Sequence, residues 1–335
     1  MDLAVEVKLD PKGPFKRDPL APHQMVERLT PTNYVIVLCH LGVPRVDAAS
    51  WSLGIDGLVE RPLTLRLNDL TSYPKAEIAS IHECCGSPLA PFEPTRRVGN
   101  VTWGGARLTD ILSDCRPRAG ARYVWSYGAD RGEFAGATID AYVKDLPISR
   151  IADDVLIAYE LNGAPLPAEH GFPARLVVPG FYGTNSVKWL TRMTLADRRA
   201  PSPFTTRWYN DPVLDGAGRP TGETTPVWSI APESLIVSPA PNATIPLAVE
   251  REVWGWAWAD GGVRHVFVRT DDPTVWREAA LEPACGREWQ RFSLSWTPGR
   301  RGLVTLASLA ESNGGSLQPM SGRRNAVAEV PVRAA

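Results

Sequence analysis

Two adjacent cysteines follow a histidine and a glutamate in the segment IHECCGSPLA, residues 81–90. The whole chain of 335 residues has only 5 cysteines, so their adjacency needs an explanation. Neighbouring cysteines cannot form a disulfide with each other without strain. Three interpretations remain: a metal ligand, a reactive thiol, or two unrelated packing positions.

A structural zinc site is the least consistent of the metal interpretations. Such a site takes four nitrogen or sulfur ligands at characteristic spacing. The segment offers His82, Cys84 and Cys85, and only His82 and Cys84 would share one face of a strand. No second Cys-x-x-Cys motif follows. Buried packing, and a thiolate assisted by His82 or His40, both stay open on the residues alone.

Composition excludes several classes of partner. The chain carries 36 basic and 37 acidic residues and a net charge of -1, which predicts neither nucleic-acid nor anionic-membrane binding. No apolar stretch reaches transmembrane length. No apolar stretch follows the basic residues near the N-terminus, so we expect no signal peptide. With five dispersed cysteines, this predicts a cytoplasmic protein as written, or a periplasmic one if the chain was processed.

The length exceeds one ordinary core, which predicts two domains. Short strands mixed with a few short helices indicate an α+β fold in the first part. Evenly spaced alternating strands with Gly and Pro turns indicate a β-sandwich in the second. The predicted division is an N-terminal arm lying over the surface (1–30), an α+β domain (31–200), a proline-rich connector (201–229) and the sandwich domain (230–335).

Two local predictions depend on glycine pairs. VTWGGARLTDILSDC is expected to open with a turn and continue as an amphipathic helix with Leu108, Ile111 and Leu112 on one face. EVWGWAWADGGVRHVFVRT alternates apolar and polar residues on both sides of a break at Gly261 and Gly262.

Three segments together resemble the sulfite oxidase family of molybdenum enzymes. They are ECCGS (83–87), VGNVTWGGARLTDIL (98–112) and HGFPARLVVPGFYGTNSVK (170–188), the most specific of the three. The resemblance covers about residues 30–200 and continues into the second domain, which resembles the family's immunoglobulin-like dimerisation domain. The segment 258–281 fits that domain's opening hairpin, and no fused haem domain is visible. The resemblance therefore implies a homodimer.

The resemblance also implies a cofactor, a molybdenum ion held by a pterin dithiolene (molybdopterin). A soft thiolate suits a metal already bound by dithiolene sulfurs. In this chain Cys84 takes the position of the single protein ligand to molybdenum, and Cys85 replaces an alanine. Tyr159 aligns with a tyrosine on the substrate side of the metal. The implied cofactor-binding positions are His40, Asp130, His170, Arg175, Ser186, Val187 and Lys188.

The implied activity is oxygen-atom transfer to or from a small-molecule substrate, with Mo(VI)/Mo(IV) cycling and an external electron partner such as a cytochrome. Two family arginines that bind sulfite are replaced by Leu38 and Leu89. The loss predicts a substrate less charged than sulfite, or larger and partly apolar. Alternatives are an S-oxide or N-oxide reductase, or a cofactor-binding homologue without turnover. The nearby arginines that could compensate are Arg96, Arg97, Arg323 and Arg324.

Overall fold

The structure is a computed structural model that describes residues 8–86, 89–90 and 96–335. The described chain is mostly strand, with three short α-helices: α1 (Leu67–Ser72), α2 (Leu108–Cys115) and α3 (Pro203–Thr206). Single 3₁₀ turns occur at Pro22–Gln24, Thr32–Tyr34, Ile148–Arg150, Ala168–His170 and Gly183–Asn185. Among the described residues, no helix is long and apolar enough to cross a membrane.

Sixteen strands precede α3 in the described part of the chain. They are β1 (Leu9–Lys12), β2 (Phe15–Arg17), β3 (Val37–Cys39), β4 (Gly42–Pro44), β5 (Ser52–Gly57), β6 (Leu63–Arg66), β7 (Lys75–Glu83), β8 (Val98–Arg107), β9 (Tyr123–Gly128), β10 (Gly132–Phe134), β11 (Ala137–Ile139), β12 (Val143–Pro147), β13 (Leu156–Leu161), β14 (Ala164–Pro165), β15 (Arg175–Val177) and β16 (Leu190–Ala196).

Two sheets form the framework of this part. One has the order β12-β9-β16-β5-β6, and the other has the order β14-β13-β8-β7, with β15 also paired to β13. One buried cluster takes apolar side chains from strands of both sheets. Helix α2 adds Leu108, Ile111 and Leu112 to that cluster, so its predicted apolar face is confirmed. The prediction of strands mixed with few short helices is confirmed as well.

The predicted turn before α2 is wrong. Residues Val98–Arg107 form one continuous strand, β8, with Gly104 and Gly105 inside it. Strand β13 passes so close that a Cβ atom at Gly105 would collide with the backbone of Ile157 and Ala158. The glycines therefore permit close strand pairing rather than a turn.

The N-terminal segment is integrated into the fold from residue 8 onward. Strand β1 pairs with β4, and β2 pairs with β3 in the register Arg17 to Val37. Strand β3 leads directly into His40. The segment predicted as a surface arm thus lies beside one of the predicted site residues.

The predicted connector contains regular structure. After α3, strands β17 (Asn210–Leu214) and β18 (Pro220–Pro226) form an antiparallel hairpin. The residue before β17 is Tyr209, whose backbone has a left-handed φ of 58°. This conformation is uncommon for a residue with a large side chain and is often found at functional sites.

Nine strands form the second domain: β19 (Glu233–Ser238), β20 (Thr244–Ile245), β21 (Arg251–Trp258), β22 (Val263–Arg269), β23 (Trp276–Glu278), β24 (Ala280–Leu281), β25 (Gln290–Trp296), β26 (Gly302–Ser312) and β27 (Glu329–Ala334). They make two sheets, β19-β21-β25-β24 and β20-β27-β26-β22-β23. Side chains from both sheets meet in one buried cluster that includes Val253, Phe292, Val266 and Leu306. The domain is therefore a β-sandwich, and its immunoglobulin-like character stays a prediction.

The segment 258–281 contains an antiparallel hairpin, in which β22 pairs with β23 in the register Phe267 to Glu278. Strands β21 and β22 lie in different sheets, because β19 and β25 already occupy both edges of β21. The turn at Gly261 and Gly262, with φ of 84° and 88°, carries the chain from one sheet to the other.

Tryptophans of the sandwich hold the first part of the chain. The indole nitrogens of Trp256 and Trp289 donate to the carbonyl oxygens of Met25 and Arg28, at 2.7 and 2.9 Å. The indole of Trp258 donates to Oε2 of Glu83 at 2.8 Å. The end of β7 is thus held in place by the second domain. The boundaries at residues 30, 200 and 229 remain a prediction.

Candidate functional site

One cavity brings most of the predicted site residues together. It has about 660 Å³ of empty space, part of which is open to solvent. Its lining includes seven of the nine predicted residues: Cys84, His40, Asp130, His170, Arg175, Ser186 and Lys188.

The double cysteine lies just beyond the end of β7. The amide of Cys84 donates to the carbonyl oxygen of Arg97 at 2.9 Å and so continues the β7–β8 pairing by one residue. Cys84 is half-buried and Cys85 is buried, and both line the cavity. Burial raises the pKa of the Cys84 thiol, and the neighbouring Gly86 amide and Arg97 guanidinium lower it in part. Both cysteines face one cavity because Cys84 is past the strand, where alternation of faces no longer applies.

The described residues do not support a zinc site. Within residues 8–86, 89–90 and 96–335, no group of three His, Cys, Asp or Glu side chains could hold a metal ion.

A concentration of positive charge marks one end of the cavity. Arg175 is only 2% exposed and donates to the carbonyl oxygens of His170 and Ser186, at 3.0 and 2.9 Å. Its guanidinium also lies 4.8 Å from the ring centre of Trp103. Lys188 donates to the carbonyl oxygens of Leu38 and Glu169, at 3.1 and 3.0 Å, and to Sγ of Cys39 at 2.9 Å.

These two cations lack a carboxylate within salt-bridge distance in the described part of the chain. Burial lowers the pKa of Arg175 to about 9, which still leaves it charged at neutral pH. Buried charges are normally compensated by an opposite charge. The cavity is therefore suited to an anionic ligand.

His170 reaches the same end of the cavity from the 3₁₀ turn Ala168–His170. Gly171, with φ of 109°, ends this turn, and a Cβ atom there would lie 3.1 Å from the Cβ atoms of Arg175 and Lys188. Burial, with Arg175, Lys188 and Arg17 adding to it, lowers the pKa of His170 to about 2. The imidazole is thus neutral, and Arg17 of β2 lies 3.1 Å from its Nε2.

An aromatic wall lies on another side of the cavity. The phenol oxygen of Tyr209 lies 2.8 Å from Nε2 of His40, and Tyr142 lies nearby with its ring 6.1 Å from that of His40. Both tyrosines line the cavity. Burial, with Lys188 adding to it, lowers the pKa of His40 to about 4. Sequence reasoning missed Tyr209 because its segment was interpreted as a connector.

Asp130 is the one acidic side chain among the residues that line the cavity in the described chain. It is 4% exposed, and burial raises its pKa to about 7, partly offset by Lys188. Near neutral pH it is thus present in both protonation states and can donate or accept a hydrogen bond.

The structure does not bring the other two predicted residues to the described lining. Tyr159 lies in β13 at an irregularity of the β8 pairing, half-buried against the apolar core. Val187 is 1% exposed, belongs to the core, and its carbonyl oxygen accepts from the amide of Leu176. Ser186 lines the cavity, and its hydroxyl accepts from the amide of Val178 at 3.1 Å.

Of the two leucines at the sulfite-arginine positions, Leu38 lines the cavity, whereas Leu89 is 61% exposed and is not part of the described lining.

Three of the four candidate arginines have other interactions. Arg324 forms a forked pair with Asp211, at 2.7 and 2.8 Å. Arg96 binds Glu233 at 2.9 Å and the carbonyl oxygen of Ala326. Arg97 lies beside Cys84 and 3.7 Å from Asp18, and Arg323 is exposed.

Comparison with known proteins agrees with this arrangement. Residues 40–204 match the family model of the oxidoreductase molybdopterin binding domain. The sulfite oxidase of Gallus gallus is 32% identical over 307 residues, which cover 84% of this chain and 66% of that protein. The crystal structure of the sulfane dehydrogenase SoxCD from Paracoccus pantotrophus matches with a TM-score of 0.77 and 27% identity, over 93% of this chain and 82% of that one. The chain belongs to the sulfite oxidase family.

Members and relatives of this family differ in their named activities. The nitrate reductase of Ulva prolifera is 32% identical over 223 residues, 61% of this chain and 25% of that protein. The chain spans between 50% and 66% of the length of the animal sulfite oxidases that it matches. At the level of the family, the predictions of an oxidoreductase and of a molybdenum–molybdopterin cofactor are confirmed.

The residues present fit that cofactor. Its phosphate tail is an anion, and the cavity is lined by the buried Arg175 and the half-buried Lys188, neither of which has a carboxylate within salt-bridge distance in the described chain. Its metal takes one soft protein ligand, and Cys84 lies in the same cavity.

Proposed function

We propose that the protein is a molybdenum-cofactor oxidoreductase that transfers an oxygen atom to or from a small, weakly charged substrate. The observation that carries this proposal is a single cavity lined by Cys84, by the unpaired cations Arg175 and Lys188, and by Tyr209. When bound, the cofactor supplies two-electron oxygen-atom transfer chemistry. The chain supplies binding, orientation and charge.

The chain's residues divide into three roles in this proposal. Cys84 is the protein ligand to the metal. Arg175, Lys188, His170 and Ser186 bind the anionic tail, and His40 and Asp130 line the pterin part of the cavity.

Tyr209 takes the substrate-side role that the sequence assigned to Tyr159. Tyr209 lines the cavity, and its phenol oxygen lies 2.8 Å from Nε2 of His40. When Nε2 carries the proton of the neutral imidazole, the phenol oxygen accepts from it, and the hydroxyl proton is available to an oxygen of the substrate.

The proposed substrate is not primarily sulfite. A doubly charged oxyanion is best bound by forked arginine donors. Leu38 stands at the position of one sulfite-binding arginine of the family. It lines the cavity together with Ile36, Tyr142, Trp189 and Tyr209. These side chains favour a substrate with an apolar part, such as a thioether in the oxidative direction. An S-oxide or N-oxide reductase is the second candidate, favoured by the same apolar wall.

The test is a pair of steady-state assays on the purified protein. One offers sulfite and a neutral thioether with an artificial electron acceptor, and the other offers neutral sulfoxides and N-oxides with a reduced dye. The proposal predicts turnover of a neutral substrate that exceeds sulfite turnover and is lost in Cys84→Ser. A protein with full cofactor content and no turnover in any assay would be a cofactor-binding homologue instead.

Electron transfer and assembly complete the proposal. An external one-electron carrier such as a cytochrome would exchange electrons with the site.

A homodimer would form through the outer face of the sheet that contains β22. Phe267 and Leu309 lie opposite each other there, on the face away from the core residues Val266 and Ala310. Leu303 on the same sheet is 72% exposed. Light scattering that shows a concentration-independent monomer would rule out the dimer.

A further inference from the structure

The strand β2 places Arg17 against His170, although 153 residues separate them in the sequence. One terminal nitrogen of the guanidinium, Nη2, lies 3.1 Å from Nε2 of His170. The other, Nη1, donates to Oε1 of Glu169 at 3.1 Å. The side chain of Arg17 is 33% exposed and that of Glu169 is 26% exposed. The fork of Arg17 thus holds two consecutive residues of the turn that enters the cavity.

The chemistry of this contact fixes the protonation of the imidazole. A guanidinium has donors only, so Nε2 of His170 must be the acceptor. The ring is buried, and it is neutral at any ordinary pH because its pKa is lowered. Its proton is then carried by Nδ1. The carbonyl oxygen of the same residue accepts from Arg175, so both the ring and the backbone of His170 are held by arginines.

A second observation concerns the remaining donor of the Arg17 guanidinium. The Nε atom of Arg17 is buried and has no hydrogen-bond partner within the described residues. A buried donor without an acceptor is costly, and native proteins rarely leave one unmatched. This donor lies on the side chain that contacts His170. Arg175 and Lys188, which also lie near His170, have no carboxylate within salt-bridge distance among the described residues.

We propose that Arg17 is a positioning residue of the cofactor site, which fixes the Nδ1–H tautomer and the orientation of His170. This inference rests on the proposed function. It makes the N-terminal segment a part of the cofactor site, where the sequence motifs placed none of its residues. The planar fork of an arginine suits this double contact, because its two terminal nitrogens are held in a fixed geometry toward Glu169 and His170.

The first test is the tautomer itself. Nitrogen-15 NMR of histidine-labelled protein distinguishes a proton on Nδ1 from one on Nε2, and the variant His170→Asn assigns the signal. The wild type should show the Nδ1–H form at His170. Arg17→Ala should change that signal, and Lys16→Ala, on the same strand, should leave it unchanged. An Nε2–H form in the wild type overturns the proposal.

The second test is retention of the cofactor. Molybdenum and pterin are measured in each purified variant before and after prolonged dialysis, together with the thermal midpoint of unfolding. Arg17→Ala should lose cofactor about tenfold faster than the wild type, as expected for one charge-assisted hydrogen bond. Arg17→Lys should fall between them, and Lys16→Ala should match the wild type.

The outcomes separate this inference from the proposed function. A wild type that carries cofactor, with Arg17→Ala and Arg17→Lys retaining it equally well, overturns the role of Arg17 alone. A wild type without molybdenum or pterin overturns both. If Arg17→Ala is too unstable to purify, Arg17→Lys and its NMR signal decide the question.

Discussion

The hydroxyl of Tyr209 lies 2.8 Å from Nε2 of His40, in the cavity that Cys84 also lines. Tyr209 comes from the segment between the two domains, and His40 directly follows β3. Their contact closes one side of the cavity with a polar group, where most of the neighbouring wall is apolar. The site is thus assembled from segments far apart in the sequence.

This relationship predicts which tyrosine matters for turnover. Tyr209→Phe should lower kcat/KM by about tenfold to hundredfold through loss of one hydrogen bond to substrate oxygen, with unchanged molybdenum content. Tyr159→Phe is the matched control and should change kcat/KM little, because Tyr159 is not part of the described lining. Steady-state kinetics with the best substrate decide between them. The opposite order would return the substrate-side role to Tyr159.

The two adjacent cysteines should differ in their effect on the metal. Cys84→Ser should abolish sulfur-to-molybdenum charge-transfer absorption and nearly all turnover, because it removes the soft ligand. Cys85→Ala should keep the metal, since Cys84 takes the ligand position and Cys85, although it lines the same cavity, is 2% exposed and packs against the apolar core. Absorption spectra and metal analysis of both variants test this. If Cys85→Ala is the damaging change, the two assignments are reversed.

The leucine at the cavity should limit sulfite turnover. Two lost arginine contacts would weaken transition-state binding by about 3–6 kcal/mol, or roughly two to four decades in kcat/KM. Leu38→Arg should restore part of this, and Leu89→Arg should restore less because Leu89 is 61% exposed. The measurement is sulfite oxidation with an artificial acceptor. A wild-type kcat/KM for sulfite of roughly 10⁶ M⁻¹s⁻¹ or above would refute the interpretation of these leucines.

Stability should depend on pH through His40. An unfolded histidine has a pKa of about 6.5, and burial together with Lys188 lowers the pKa of His40 to about 4. Between these values the unfolded chain binds a proton that the folded chain does not, so stability is lost as pH falls through this range.

The variant His40→Gln should lack this contribution. In cofactor-free protein, the free energy of unfolding of the wild type relative to His40→Gln should fall by about 3 kcal/mol between about pH 7.5 and pH 4. Urea unfolding at both pH values measures it. A difference that does not change with pH would show that His40 is not buried as a neutral ring.

The sequence was sufficient to predict the cavity-lining residues that belong to a local motif. The cavity is lined by Cys84, which follows a strand, and by three residues of one short segment, His170, Arg175 and Lys188. Within that segment, Gly171 lets the chain pass close to Arg175 and Lys188. The spacing of residues within one short motif was enough to predict that they line the same cavity.

Contacts between distant segments could not be predicted from local pattern. Arg17 and Tyr209 lie in stretches with no periodicity, and their importance depends on long-range pairing with β3 and packing against His40 and His170. The glycines of β8 were misinterpreted for a related reason. A glycine that admits a neighbouring strand and a glycine that makes a turn look alike in sequence.

The most direct test of the account is the cofactor content of the purified protein. Metal analysis and fluorescence of the oxidised pterin should give about one molybdenum and one pterin dithiolene per chain, with a Mo(V) EPR signal on partial reduction. Full occupancy by zinc, or a folded chain with neither molybdenum nor pterin, would contradict it.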